Sequence, residues 1–171
     1  EGLRLPPLKL YERHEPNKTL FTILQAASRT PDIVLADIGA YVGACIVAEQ
    51  RFLELVADHG RDTLDRYLAG LLDYTERMAR AEIATMPDGT YHFEDQLDDD
   101  GVNPENSVTI RLAITVDGDE MIYDLDGTDD QVASSMNNPI GSTRSAVVTA
   151  VRSMMGGDVP RNGGAWRPVT L

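Results

Sequence analysis

Three histidines, one cysteine, two acidic runs and two glycine pairs are the residues whose types could carry chemistry. His14, His59 and His92 lie far apart, and neither an HExxH nor a CxxC spacing occurs. Zinc needs three or four convergent ligands, so a metal site built wholly within this chain is disfavoured. His59 stands beside Gly60, where an imidazolium suits the negative end of a helix. The run Asp98-Asp99-Asp100-Gly101 invites a calcium loop. With Gly101 sixth, however, the twelfth position is Ser107, where an EF-hand needs a bidentate glutamate. Asp126-Gly127 fails as well, because Ile122 would stand first. Solvated loops are the simpler reading of both. Cys45 could be a nucleophile, but between Ala44 and Ile46 it reads as core packing, where burial quiets a thiol. Gly156-Gly157 and Gly163-Gly164 match neither GxxxxGKS/T nor GxGxxG, so neither is expected to cradle ATP. The stretch Asn137-Asn138-Pro139-Ile140-Gly141-Ser142-Thr143-Arg144-Ser145 is more suggestive. It puts amides, hydroxyls and an arginine at a helix start, where unpaired N–H groups and the helix dipole favour an anion. Ordinary capping by Ser142 or Thr143 is the alternative.

The elements that must position these residues follow from periodicity. Residues 1–16 read as a proline-rich linker and loop. Asn17 can cap a helix to about Ser28, with Leu20, Phe21, Leu24 and Ala27 on one face. Thr30-Pro31 restarts a helix that runs to about His59, with Gly60 beyond it. Ala36, Ala40, Ala44 and Ala48 recur every four residues beside Gly39 and Gly43. The apolar half from Ile33 to Ala48 should be buried on several sides. A third helix is expected over about Asp62–Met86, with Leu64, Leu68, Leu71, Leu72, Met78, Ala79 and Ile83 in period. The short link between the two long helices predicts an antiparallel hairpin. The period then changes to two. Strands are expected around Tyr91–Leu97, Val108–Val116 and Met121–Leu125, with a turn at Asp117-Gly118-Asp119. A last helix should begin near Ser142 and end at Gly156, burying Ala146, Val147, Ala150, Val151 and Met154. The expected class is α+β: a long antiparallel helical hairpin, a small antiparallel sheet and a C-terminal helix. Residues 1–87 would be mainly helical and 88–171 sheet plus helix.

Composition narrows the partners. The chain has 171 residues, 42% hydrophobic and 25% charged, which is globular composition. Its net charge of −13 disfavours nucleic acid and an anionic membrane surface, both of which need a basic patch. The apolar stretch Ile33–Ala48 contains Asp37 and is short against the roughly 20 residues of a bilayer span. A single cysteine excludes an internal disulfide. No basic-apolar-small leader pattern opens the chain, so a cytoplasmic location is expected. A first residue that is Glu, and a strand-like end over Trp166–Leu171, are read as marks of an internal segment.

Several passages in order resemble the hydantoinase B/oxoprolinase family. They are Glu1-Gly2-Leu3-Arg4-Leu5-Pro6-Pro7 with Lys9-Leu10, Thr30-Pro31-Asp32, Leu35-Ala36-Asp37, and Leu97-Asp98-Asp99-Asp100-Gly101. Further along come Asp124-Leu125-Asp126-Gly127-Thr128 with Gln131, Asn137-Asn138-Pro139 with Thr143-Arg144-Ser145-Ala146-Val147, and Asn162-Gly163-Gly164 with Arg167-Pro168-Val169. The resemblance implies a segment of the B-like subunit of an ATP-dependent enzyme that opens cyclic amides such as N-methylhydantoin or 5-oxoproline. ATP would bind a partner hydantoinase A-like subunit or domain and activate the carbonyl oxygen by phosphorylation. The intact B-like subunit would supply a divalent metal as Lewis acid or water activator. The family's metal-ligand motifs have no counterpart in this chain, so no catalytic residue and no metal ligand is assigned, and the 171 residues alone should be inactive. Asn137, Thr143 and Arg144 match a family motif and are the candidate substrate-binding residues beside the cleft. An oligomer is expected. The alternatives are a subunit of an acetone-type ketone carboxylase and a non-catalytic helical assembly module.

Overall fold

The computed structural model describes residues 3–171; Glu1 and Gly2, which open the linker and the first family-like passage, lie outside the described residues. Contacts divide the chain into two units, one extending to Leu64 and one from Asp65 to Leu171.

The first unit contains a hairpin where the sequence suggests only loop. Strands β1 (Tyr11–Glu12) and β2 (Glu15–Pro16) pair antiparallel. Arg13 and His14 form the turn with φ of 51° and 69°. Such turns usually hold Asn or Gly, so Arg-His does not announce one. The Tyr11 ring meets Phe21 edge-on, with centroids 5.8 Å apart. Helix α1 (Lys18–Ala27) is capped as expected: Asn17 Oδ1 accepts the Leu20 N–H at 3.2 Å. Helix α2 (Pro31–His59) starts and stops where Thr30-Pro31 and Gly60 place its ends. Gly60 has φ 77° and its N–H bonds Val56 O at 2.9 Å. Thr30 occupies the cap position without a side-chain cap bond. Contrary to expectation, none of the α2 residues is buried. Cys45 is accordingly exposed and does not pack in a core. The reason is local: α1 packs on α2 but is much too short to cover a helix of about 43 Å. By length and composition alone α2 is also long and apolar enough to cross a bilayer, which its Ile33–Ala48 stretch is not.

Gly60 alone separates α2 from α3 (Arg61–Ile83), as short a link as the sequence implies. In the second unit, β3 (Gly89–Leu97), β4 (Val108–Asp117), β5 (Glu120–Asp124) and β6 (Val169–Thr170) form one sheet in that order. The first three strands are antiparallel, and Gly118 at φ 58° makes the tight β4–β5 turn. The sheet is not purely antiparallel as expected, because β6 runs parallel to β5 through Met121↔Val169 and Ile122↔Thr170. Parallel neighbours need a crossover, and helix α4 (Ile140–Met154) with its flanking loops supplies it. The α+β class stands.

One face of this sheet packs with α3 and α4 around Ala79, Ile83, Val116, Met121, Tyr123, Val151, Met155, Val159 and Ala165. Two helix faces differ from the periodic reading. On α3, Leu68 and Leu71 are exposed while Thr75 is fully buried. On α4, Val151 continues to Met155, whereas Met154 is exposed. Tyr123 is buried with its hydroxyl unpartnered, and burial pushes that phenol up.

Candidate functional site

The three candidate residues stand around the start of α4 in sequence, and no hydrogen bond joins Asn137 to Thr143 or Arg144 among the described residues. The helix begins at Ile140, two residues before the expected Ser142, with Pro139 at the cap position. Neither Ser142 nor Thr143 caps it; no side chain does. Their own N–H groups turn back onto Pro139 O at 2.9 and 3.2 Å. The earlier N–H groups of the first turn lie beyond the reach of any helical acceptor. Thr143 Oγ1 is met by Asn138 Nδ2 at 3.4 Å. Arg144 is exposed and has no hydrogen bond or ion pair among the described residues. A helix start with uncapped amides can receive an anionic oxygen, and Arg144 adds a positive charge to the same helix.

Asn137 behaves differently from its two companions. Its Oδ1 accepts Val132 N–H at 2.9 Å, and its Nδ2 donates to Val132 O at 2.7 Å and Ser134 O at 2.9 Å. It closes the loop that delivers the chain to α4, so its contribution is to hold that loop in place. The same loop is seated against the acidic turn: a Cβ at Gly101, whose φ is 78°, would lie 2.8 Å from Ser134 Oγ. Within that turn Asp100 Oδ1 accepts Val102 N–H at 2.8 Å and Asn103 N–H at 2.6 Å, and Oδ2 accepts Asn106 Nδ2 at 3.2 Å. These donors hold the Asp100 carboxyl below the usual range. The acidic run is a hydrogen-bonded turn. Among the described residues no three His, Cys, Asp or Glu side chains group to hold a metal, so the residues present do not fit the divalent ion that the family resemblance implies.

Other motif residues also act as clamps. In Asp124–Thr128, Thr128 Oγ1 accepts Arg111 N–H at 3.1 Å and donates to Arg111 O at 3.0 Å. Arg111 reaches Gly127 O at 2.6 Å and Glu94 at 2.7 Å. Asn162 Nδ2 donates to buried Thr75 Oγ1 at 2.8 Å, while its Oδ1 accepts Gly164 N–H at 2.8 Å. Gly164 then lies so close to α3 that a Cβ would collide with the Leu72 carbonyl. This glycine pair seats a short 3-10 turn (Gly163–Trp166) on α3. Beside it Arg167 binds Asp73 at 2.7 Å and Glu76 at 2.9 Å, and Arg80 binds Glu76, Asp119 and Glu120 at 2.8–3.1 Å. Arg167 first, then Arg80, hold the Glu76 carboxyl below the usual range.

Sequence reasoning missed one further feature. A shallow groove of about 470 Å³ lies between α4 and the loop before β6, lined by Thr149, Arg152, Ser153, Arg161 and Trp166 among others. It carries two guanidinium groups and no carboxylate in a chain of net charge −13. Arg152 donates to Val159 O at 2.7 Å. No spacing motif joins positions 149 and 161, so only the fold reveals it.

Residues 1–171 match the sequence profile described as hydantoinase B/oxoprolinase. The chain is 32% identical over its whole length to a protein of Pseudomonas sp. (strain NS671) named as the B component of a D-/L-hydantoinase, of which it covers 31%. It is 29% identical, again over its whole length, to the β component of the caprolactamase of Pseudomonas jessenii, covering 29% of it. To 5-oxoprolinase of Saccharomyces cerevisiae it is 28% identical across 80% of the chain and 11% of the enzyme. The crystal structure of the ATP-dependent caprolactamase from P. jessenii superimposes with a TM-score of 0.83 at 27% identity. That match covers 99% of this chain and 29% of the other. The chain therefore spans less than a third of the length of these relatives.

Proposed function

Because the chain belongs to the hydantoinase B/oxoprolinase family, we propose that it works within the B-type subunit of an ATP-dependent cyclic-amide hydrolase. The observation that carries this reading is the common fold with an ATP-dependent caprolactamase over 99% of the chain. In this reading ATP sits on a hydantoinase A-like partner and phosphorylates the amide oxygen, releasing ADP and making the carbon electrophilic. Water adds to the activated carbon, the ring nitrogen leaves as the C–N bond breaks, and hydrolysis of the acyl phosphate so formed gives the open-chain carboxylate and phosphate. The uncapped first turn of α4 and Arg144 receive negative charge at the substrate or its phosphorylated form. Thr143 lies beside them, and Asn137 holds the loop. Ligands for a divalent metal are assigned outside these residues. We place the enzyme in the cytoplasm with its ATP supply. The exposed face of α2 is assigned to protein contact and not to lipid, since Asp37 is costly at bilayer depth and the Ala36–Ala48 small-residue stripe lets another helix approach closely.

The test is to produce the full-length protein with its A-like partner and measure ATP hydrolysis against hydantoins, 5-oxoproline and caprolactam. The expected result is ATP turnover coupled one-to-one to ring opening and indifferent to bicarbonate. Turnover that requires a ketone and bicarbonate would transfer the protein to the carboxylases. In the active complex Arg144→Ala should lower kcat/KM about 10- to 100-fold without altering the melting temperature. Unchanged kinetics would remove Arg144 from the site.

A further inference from the structure

β3 is the edge of its sheet, and its outer backbone groups pair with no strand among the described residues. Of the usual protections of an edge, lysine, proline and a bulge are absent from it, and Glu94 and Asp95 are its only acidic residues. Its register with β4 runs unbroken from Gly89↔Val116 to Leu97↔Val108. Every residue from Gly89 to Gln96 is exposed, including Phe93 at 63% and Tyr91 at 49%. A regular and partly apolar edge is a template for another strand.

The strand is complementary to itself. Antiparallel pairing about a two-fold axis at Phe93 sets Phe93 against Phe93 of the second copy. On the same face Tyr91 then opposes Asp95. On the other face His92 opposes Glu94 twice, and Thr90 opposes Gln96. Glu94 already bonds Arg111 at 2.7 Å, so the ladder Arg111–Glu94–His92 would continue from one sheet into the next. Cross-strand aromatic and polar pairs of this kind stabilise sheets, whereas like charges placed opposite destabilise them. Moving the axis to Glu94 would oppose two carboxylates. Moving it between residues would set Phe93 against the polar face of the other strand.

We propose that β3 is an interface for a second copy of this chain, joined edge to edge about Phe93 into one continuous eight-stranded sheet. The test uses the full-length protein carrying Cys45→Ser, which removes the exposed native thiol. Adding Phe93→Cys should yield a disulfide-linked dimer under mild oxidation, because directly opposed residues in antiparallel strands bring Cα atoms within disulfide range. Tyr91→Cys, whose counterpart would lie four residues away across the axis, should not. Without any added cysteine, His92→Glu should weaken dimerisation roughly tenfold by sedimentation, by opposing carboxylates at two places. Three results would overturn the proposal: equal cross-linking at 91 and 93, dimerisation indifferent to His92→Glu, or a monomer. A monomer with slowly exchanging β3 amides would show that another segment of the same polypeptide holds the edge.

Discussion

Helices α2 and α3 adjoin in sequence and differ sharply in what they bury. α2 is the more apolar, with six charged residues in 29, yet it buries none. α3 has nine charged residues in 23, yet Thr75, Ala79 and Ile83 on it are wholly buried. Hydrophobicity therefore does not order burial in this chain. What orders it is the presence of a segment able to seat itself on the helix. For α3 that segment is the sheet together with the Asn162-Gly163-Gly164 turn, which brings a buried hydrogen bond and a backbone approach to Leu72. Within its own unit the helix packed on α2 is the ten-residue α1. A surface with so many exposed apolar side chains, Ile33, Tyr41, Val47 and Leu53 among them, is of the kind that marks protein contact.

The sharpest way to break this contrast is to unseat the segment on α3. Gly164→Ala forces a methyl into the Leu72 carbonyl, which belongs to a hydrogen-bonded helix and cannot rotate aside. A loss of about 3 kcal/mol is expected in denaturant unfolding. Thr75 and Asn162 should lose their hydrogen bond as the turn lifts. If Gly164→Ala unfolds like the wild type, the turn is not what buries α3, and the explanation of the two helices fails.

That lock also marks the limit of what could be read from residues alone. Ends set by local chemistry were legible: Asn17, Thr30-Pro31, Gly60 and Asp117-Gly118 each place an element boundary within a few residues. Faces set by distant segments were not. Period alone points Leu68 and Leu71 inward, and it cannot know that Asn162, 87 residues on, selects Thr75. The same holds at the site. The helix start and Arg144 are visible in the sequence around residue 140. That Asn137 ties down residues 132–134, and that Arg152 and Arg161 share a groove, depends on loops whose course no pattern encodes. Cys45 is the converse case: its neighbours are apolar, but apolar neighbours on one helix do not supply a cover.

A milder probe of the covered helix uses pH. Glu76 lies between Arg167 and Arg80, and its folded carboxyl titrates below the usual range. A group depressed in the folded state contributes stability above its ordinary range, and the contribution is lost as pH falls through its folded value. The melting temperature of the wild type should therefore exceed that of Glu76→Gln at neutral pH. The gap should close as acid protonates the carboxyl in both folded and unfolded chains. The effect should be modest and weaken with salt, because the partner Arg167 is 42% exposed and Arg167 and Arg80 also bind the solvated Asp73, Asp119 and Glu120. A gap that persists at low pH would assign the difference to packing of the side chain and not to its charge.

The smallest effect belongs to the uncovered helix and sharpens the contrast from the other side. Val47 is 57% exposed on α2, and Val and Ser have similar helix propensities. Val47→Ser therefore tests burial with little disturbance of the helix itself. In the 171-residue chain it should shift unfolding by no more than about 0.5 kcal/mol, as surface substitutions do. In the full-length protein, where we assign this face to protein contact, the same change should cost more and lower the melting temperature measurably. Equal, negligible shifts in both would mean that α2 stays uncovered after assembly, and its apolar face would need a different explanation. A large shift already in the 171-residue chain would mean that Val47 is covered without any further segment, and the difference between α2 and α3 would be one of degree.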